Sequence, residues 1–331
     1  MAPKGSFETF HIIKYIATEV KKMIEVNELV KKYGKKTVLN KISFKVEEGE
    51  ILGLLGQNGA GKSTIMNIIT GNISATDGSV FINGKEILES PLQAKKELGY
   101  LPELPPLYQD MTVKEYLNYV YQLKKCKLPK KEHIEKVCSS AHISDVYNRV
   151  IKNLSKGYKQ RIGIAEALIG DPKVLIFDEP TVGLDPNQMI EIRKLIKDLG
   201  RKHTVIISSH ILSEIQSICD RVIVINNGVV VANDTPSNLA KKLEGNCLRI
   251  IVEGPEKEVE NALGNLIGVK SVQKVNCKKR GCCEFEIHGQ DDVDIRRTIS
   301  QYLKKSPWLL MEMTGVDMSL ENIFLRLTGR K

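Results

Sequence analysis

No apolar run in these 331 residues approaches the ~18 residues that a membrane-crossing helix needs. The first segment, Met1 to Lys22, holds Phe10-His11-Ile12-Ile13-Lys14-Tyr15-Ile16, too short and too interrupted for the apolar core of a signal peptide. No two cysteines form a C-x-x-C pair. The seven stand at 126, 138, 219, 247, 277, 282 and 283, and this odd, scattered set reads as free thiols in a reducing compartment. Cys277, Cys282, Cys283 and His288 are close in sequence, but their spacing fits no standard zinc pattern. Adjacent Cys282 and Cys283 would also face opposite sides of a strand. There is no long Lys/Arg block either, although the formal net charge is +9. That balance is compatible with nucleic acid or an anionic membrane face and decides for neither. Apolar residues are not in short supply. A chain that is 42% hydrophobic and 27% charged is not disordered, and its length suggests about two domains.

What is present centres on Gly56-Gln57-Asn58-Gly59-Ala60-Gly61-Lys62-Ser63-Thr64, which fits G-x-x-x-x-G-K-[ST]. The apolar run Ile51 to Leu55 before it reads as a buried strand, and Ile65 to Thr70 after it continues as a helix. Strand, glycine-rich turn and helix N-terminus together make a phosphate cradle. Lys62 would reach the β- and γ-phosphates, and Ser63 would place its hydroxyl on Mg²⁺. The motif alone says only that a nucleoside triphosphate binds.

Two strands around the turn Lys35-Lys36 precede it, the first ending at Tyr33-Gly34. Tyr33 suits either stacking on a base or packing at a strand end. Further on, Gly78–Ile82 and Leu98–Leu101 read as strands. Pro102 stops the second of these, and prolines exclude regular helix or central strand from Glu103 to Tyr108. Helical patterns at Val113–Leu123 and Lys131–Ala141 form an insertion between strands. Ser155 is a good N-cap for a helix running through Ile162 to Ile169. Val174 to Glu179 is an apolar strand ending in two carboxylates, placed for Asp178 to hold Mg²⁺ and Glu179 to deprotonate a water. Thr204 to Ser208 is another buried strand, and His210 follows it at the ligand-binding edge of such a sheet.

Taken together and in this order, these stretches resemble the nucleotide-binding subunit of ATP-binding cassette (ABC) transporters, over about Met23 to Leu243. The resemblance implies an α/β P-loop NTPase core, a mixed sheet with a helical subdomain. It implies that Gly56 to Thr64, including Asn58, Gly59, Ala60 and Gly61, is the Walker A motif and that Tyr33 stacks on adenine. Asp178 and Glu179 become Walker B, Gly183-Leu184-Asp185 the D-loop and His210 the switch histidine. Two motifs depart from the family pattern. The signature Leu-Ser-Gly-Gly-Gln reads Leu154-Ser155-Lys156-Gly157-Tyr158, keeping Ser155 and Gly157. The Q-loop glutamine position is Glu103, a possible additional Mg²⁺ ligand. Both departures are similar to those of type-2 exporters and gliding-motility-like ATPases.

The family resemblance further implies ATP and Mg²⁺ as cofactors and a second nucleotide-binding subunit, a homodimer or a paralogue, closing head to tail. It implies separately encoded transmembrane permease subunits contacting the insertion at about 105–154, and a cytoplasmic protein peripheral on the inner face of the cell membrane. No nucleic acid is expected. The rivals are a non-transport ABC ATPase of translation or DNA repair and a module holding ATP as a static ligand. The single cassette, the lack of long coiled coils and the Asp178–Glu179 pair speak against them.

The remaining expectations concern the ends. The expected domains are an N-terminal extension, 1–22; the ABC domain, 23–244; and a C-terminal domain, 245–331. Met23 opens an alternating strand, so the residues before it read as an extension or a misplaced start; N-terminal sequencing that returned Met1 would remove that idea. From Gly245 the order β-α-β-β-α-β reads as a small α+β ferredoxin-like domain with a terminal helix, Leu320–Leu327. It carries no catalytic constellation, and a regulatory, dimer-stabilising or passive role fits equally.

Overall fold

Uninterrupted apolar runs in the middle of the chain become strands buried on both faces. The computed structural model describes residues 21–239, 247–275, 281–290 and 293–315. Its central sheet contains β3 (Ile51–Gly56), β6 (Leu98–Leu101), β7 (Val174–Asp178), β8 (Thr204–Ser209), β9 (Arg221–Asn226) and β10 (Val229–Asp234), in the order β10-β9-β3-β8-β7-β6. All pairs are parallel except β9 with β10. Strand alternation divides these residues between two cores. Leu55, Leu175, Phe177, Val205 and Ile207 enter one, packed with α5 (Lys156–Leu168), α6 (Pro186–Gly200) and the helical insertion. Leu52, Leu54, Val174, Ile176, Ile206 and Ile223 enter the other, with α1 (Lys62–Ile69) and an antiparallel sheet.

That second sheet has the order β2-β1-β4-β5, from β1 (Lys22–Tyr33), β2 (Lys36–Glu47), β4 (Asp77–Ile82) and β5 (Lys85–Glu86). Tyr33 pairs with Lys36, so the hairpin turn is Gly34-Lys35 rather than Lys35-Lys36. Gly34 has φ +58°, a left-handed conformation that glycine adopts without strain, which places the turn one residue earlier than expected. β1 begins at Lys22, one residue before the expected boundary. The expected extension otherwise lies outside the described residues.

The insertion holds α3 (Val113–Leu123) and α4 (Lys130–Ser140). Thr112 and Glu115 form a capping box at the start of α3. The Thr112 hydroxyl accepts from the Glu115 N–H at 3.2 Å, and the Glu115 carboxylate accepts from the Thr112 N–H at 2.8 Å. Among the described residues, no helix is long and apolar enough to cross a membrane.

The C-terminal sheet is antiparallel, in the order β12-β13-β11-β14, from β11 (Cys247–Glu253), β12 (Val269–Val275), β13 (Cys282–Gly289) and β14 (Leu309–Gly315). With helices Glu256–Gly264 and Arg296–Lys305 between strands, this is the expected ferredoxin-like order. The expected helix Leu320–Leu327 lies outside the described residues.

β6 lies close against α5: a Cβ added to Gly99 would fall on the Ala167 carbonyl, with the Leu175 side chain 2.9 Å away. Gly99→Ala is therefore expected to lower stability by about 1–3 kcal/mol through overpacking. Urea unfolding tests this, and an unchanged midpoint would show that strand and helix do not approach in this way.

Candidate nucleotide-binding site

The cleft lies where the parallel strands end. β3 runs into the glycine-rich turn, where Gly59 and Gly61 have φ of +82° and +113°. Those dihedrals let the chain curl around a small centre before α1 begins at Lys62, with its free N–H groups facing the turn. A Cβ on Gly61 would strike Leu39 of β2, so only glycine fits between the turn and that strand. Tyr33, Asn58, Gly59, Gly61, Lys62, Ser63, Thr64, Glu103, Glu179 and His210 all line one cavity of about 630 Å³. Gly56 and Ala60 support it from behind: the Gly56 carbonyl accepts from Lys62 Nζ at 2.8 Å, and Ala60 is buried.

The floor of the cleft is a buried charge network. Lys62, 5% exposed, sits with Nζ 3.4 Å from Glu179 Oε1. The other carboxylate oxygen of Glu179 is 2.7 Å from His210 Nδ1. Glu179 therefore bridges a cation and an imidazole. Its φ of +48° is left-handed, a conformation that non-glycine residues hold only under constraint. The constraint is visible: Ser208 Oγ accepts from the Glu179 N–H at 2.9 Å and donates to Asp178 Oδ1 at 2.5 Å. One hydroxyl thus fixes both acidic residues. Burial, and then the Asp178 charge, pushes the Tyr100 hydroxyl up to about 12.

Ser63 Oγ stands 3.4 Å from Asp178 Oδ1. Two neighbouring oxygens on an octahedral ion with bonds of about 2.1 Å stand roughly 3 Å apart, so this hydroxyl–carboxylate pair fits Mg²⁺ with little movement. Glu103 lines the same cavity as a further oxygen donor.

Ser155, Gly157 and Asp185 are not among the residues lining the cleft. Ser155 is exposed and caps α5, accepting from the Tyr158 N–H at 3.4 Å. Gly157 is buried against the Gln188 side chain, and Asp185 caps α6 by accepting from the Gln188 N–H at 2.9 Å. The two unusual signature side chains lie against other parts of the chain. Lys156 Nζ lies against Gly183, and the Tyr158 hydroxyl donates to Asp145 at 2.5 Å while Arg161 lies over its ring at 5.5 Å. Tyr158 thereby ties the signature helix to the insertion.

The cleft also includes residues that sequence reasoning did not single out. Asn227, in the turn between β9 and β10, lines it. The next residue, Gly228, donates its N–H to the Ala60 carbonyl at 3.1 Å, and its own carbonyl accepts from the Asn40 N–H at 2.9 Å. The Asn-Gly pair is a recognisable hairpin turn, but only the fold carries it to the glycine-rich turn. Glu214, 1% exposed, accepts at Oε2 from Thr181 Oγ1 and Ser209 Oγ, both at 2.8 Å. It fastens the turn after Glu179 to the loop bearing His210.

The ABC transporter family model matches residues 39–182. The linearmycin resistance ATP-binding protein LnrL of Bacillus subtilis (strain 168) is 32% identical over 323 residues, covering 93% of this chain and 99% of that protein. The chain belongs to the ABC transporter ATP-binding proteins. The bacitracin transport ATP-binding protein BcrA of Bacillus licheniformis is 34% identical across 93% of this chain and 97% of its own length. Among solved structures, the bacterial ABC transporter cassette MJ0796, described as dimeric, superimposes with a TM-score of 0.59. It is 25% identical and covers 64% of this chain and 98% of that one. This ABC protein is an ATPase, and its cassette is followed by an antiparallel C-terminal sheet.

Tyr33 stands at the cleft mouth, 52% exposed, with Lys31 Nζ 5.0 Å from its ring centroid. An exposed ring in that position has a face available for a base. Tyr33→Ala is expected to weaken ATP binding by ~1–3 kcal/mol. Fluorescent-nucleotide titration measures this, and an unchanged affinity would make Tyr33 a packing residue.

Proposed function

We propose that this chain is the ATP-hydrolysing subunit of an exporter, working as one of two cassettes that close head to tail on ATP. The observation that carries this reading is the division of the site residues. Lys62, Ser63, Asp178, Glu179 and His210 converge on one cleft, whereas Ser155 and Gly157 sit apart at the exposed start of α5. A helix N-terminus favours anions, so α5 of a second copy would complete the γ-phosphate environment.

The residues of the cleft have separable roles in this reading. Lys62 holds the β- and γ-phosphates, which replace Glu179 as its counter-ion. Released from that pairing, Glu179 accepts a proton from the attacking water, and His210 holds the second carboxylate oxygen in place. Ser63 and Asp178 would hold Mg²⁺, which neutralises triphosphate charge when bound. Glu103 contributes an oxygen at the cleft wall. Asp185 sets the start of α6 near the junction between copies.

The full-length similarity to resistance and antibiotic-transport ATP-binding proteins supports an export role over translation or DNA repair. The chain then docks from the cytoplasm on the inner face of the membrane, its insertion at about 105–154 against separately encoded permease subunits. The second cassette is another copy or a paralogue.

Glu179→Gln should cut turnover by about 10²–10⁴ while ATP still binds. A near-normal rate would assign the general base elsewhere. Purification from native membranes should recover integral membrane subunits, and recovery of ribosomes or DNA instead would overturn the exporter reading.

A further inference from the structure

The C-terminal sheet has one face covered by helices and one turned away from them. Leu248 and Ile250 on β11, with Phe285 and Ile287 on β13, enter the helix-covered core. Strand alternation therefore places Cys247, Glu286 and His288 together on the other face. β11 and β13 pair antiparallel with Cys247 directly opposite His288, and Glu286 lies two residues before His288. Cys247 Sγ donates to Glu286 Oε1 at 3.3 Å, and His288 Nε2 is 3.5 Å from that same oxygen. One ligand atom from each residue lies within 4.8 Å of the other two.

We propose that Cys247, Glu286 and His288 form a binding site for a divalent transition-metal ion of the zinc class, with a fourth position filled by water. A thiolate, an imidazole and a carboxylate are the ligand types such ions take, and a thiol–imidazole pair does not suit Mg²⁺ or Ca²⁺. Ligand atoms about 2.0–2.3 Å from a tetrahedral ion stand roughly 3.3–3.7 Å apart. Two of the three separations here already meet that spacing, and the third, within 4.8 Å, needs a contraction of at most about 1.5 Å. Paired strands hold the three Cα atoms in place, so binding requires side-chain adjustment alone. Arg249, opposite Glu286 on the same face, has its guanidinium paired with Glu284 at 3.4 Å. Cys247 is 1% exposed and belongs to the same buried cluster as Val222, Val224 and Leu239 of the nucleotide-binding core. A bound ion would thus cross-link β11 to β13 beside their contact with that core.

Along the chain, Cys277, Cys282 and Cys283 are the thiols near His288. The thiol that meets His288 comes instead from the neighbouring strand.

The test is a Co²⁺ titration of the full-length chain, stripped with chelator and held in excess Mg²⁺ without ATP. The expected result is a thiolate-to-cobalt charge-transfer band that saturates at about one equivalent and is displaced by Zn²⁺. Cys247→Ser and His288→Gln should each weaken Co²⁺ binding by at least about tenfold. Cys282→Ser, at the other end of β13, should keep the band. Circular dichroism and ATP affinity matching the wild type would show that the variants fold. No band in the wild-type chain, or a band that survives both substitutions, would overturn the site.

Discussion

A lysine ammonium taken out of water must be surrounded by oxygens, and the nucleotide cleft is arranged around that requirement. Lys62 meets the Gly56 carbonyl, the Gln57 carbonyl and the Glu179 carboxylate within 3.4 Å. The first two partners depend on the tight curl of the turn, which is why Gly59 and Gly61 take dihedrals closed to other residues. The third depends on β7 ending abruptly, with Glu179 held left-handed by Ser208. A triphosphate offers the same ammonium a stronger set of anionic oxygens. In the proposed function, binding and the release of Glu179 for proton transfer would be one exchange of counter-ions.

The central sheet makes this arrangement stiff. Its strands are apolar on both faces, so β3, β7 and β8 are fixed from above and below by separate cores. Their C-terminal ends present the glycine-rich turn, the two acids and the histidine loop side by side. Glu214, reaching both Thr181 and Ser209, keeps the last two of these in register. The start of α5 takes no part in this cleft within one chain. Its exposed N-terminus is capped by Ser155, and Tyr158 ties it to Asp145 of the insertion; in the proposed function this would carry motion between a partner's nucleotide and a membrane subunit.

Features that are contiguous in the chain were legible from sequence. Strand, turn and helix around Gly56–Thr64 form one local unit, and Asp178-Glu179 ends an unbroken apolar strand. Glu103 and Tyr33 also line the cleft. What stayed hidden depends on neighbours far apart in sequence. Ser208 meets Asp178 because β7 and β8 are parallel neighbours, and Asn227 reaches the cleft because Gly228 bonds to Ala60. The hairpin turn lies one residue before Lys35-Lys36 because Gly34 takes the left-handed conformation within the turn rather than ending the strand. Tyr158, in place of the usual signature glutamine, meets Asp145 of the insertion, a residue 13 positions away that only the fold brings to its hydroxyl.

The central claim is that the catalytic site is shared between two cassettes, and the mass of a hydrolysis-blocked chain in solution tests it most directly. Light scattering on the Glu179→Gln protein with Mg²⁺ and ATP should give twice the 37.1 kDa of a single chain. Adding Ser155→Arg, far from its own chain's cleft, should return it to the single-chain mass with ATP binding intact. Pairing that is as complete with Ser155→Arg as without it would contradict the shared site.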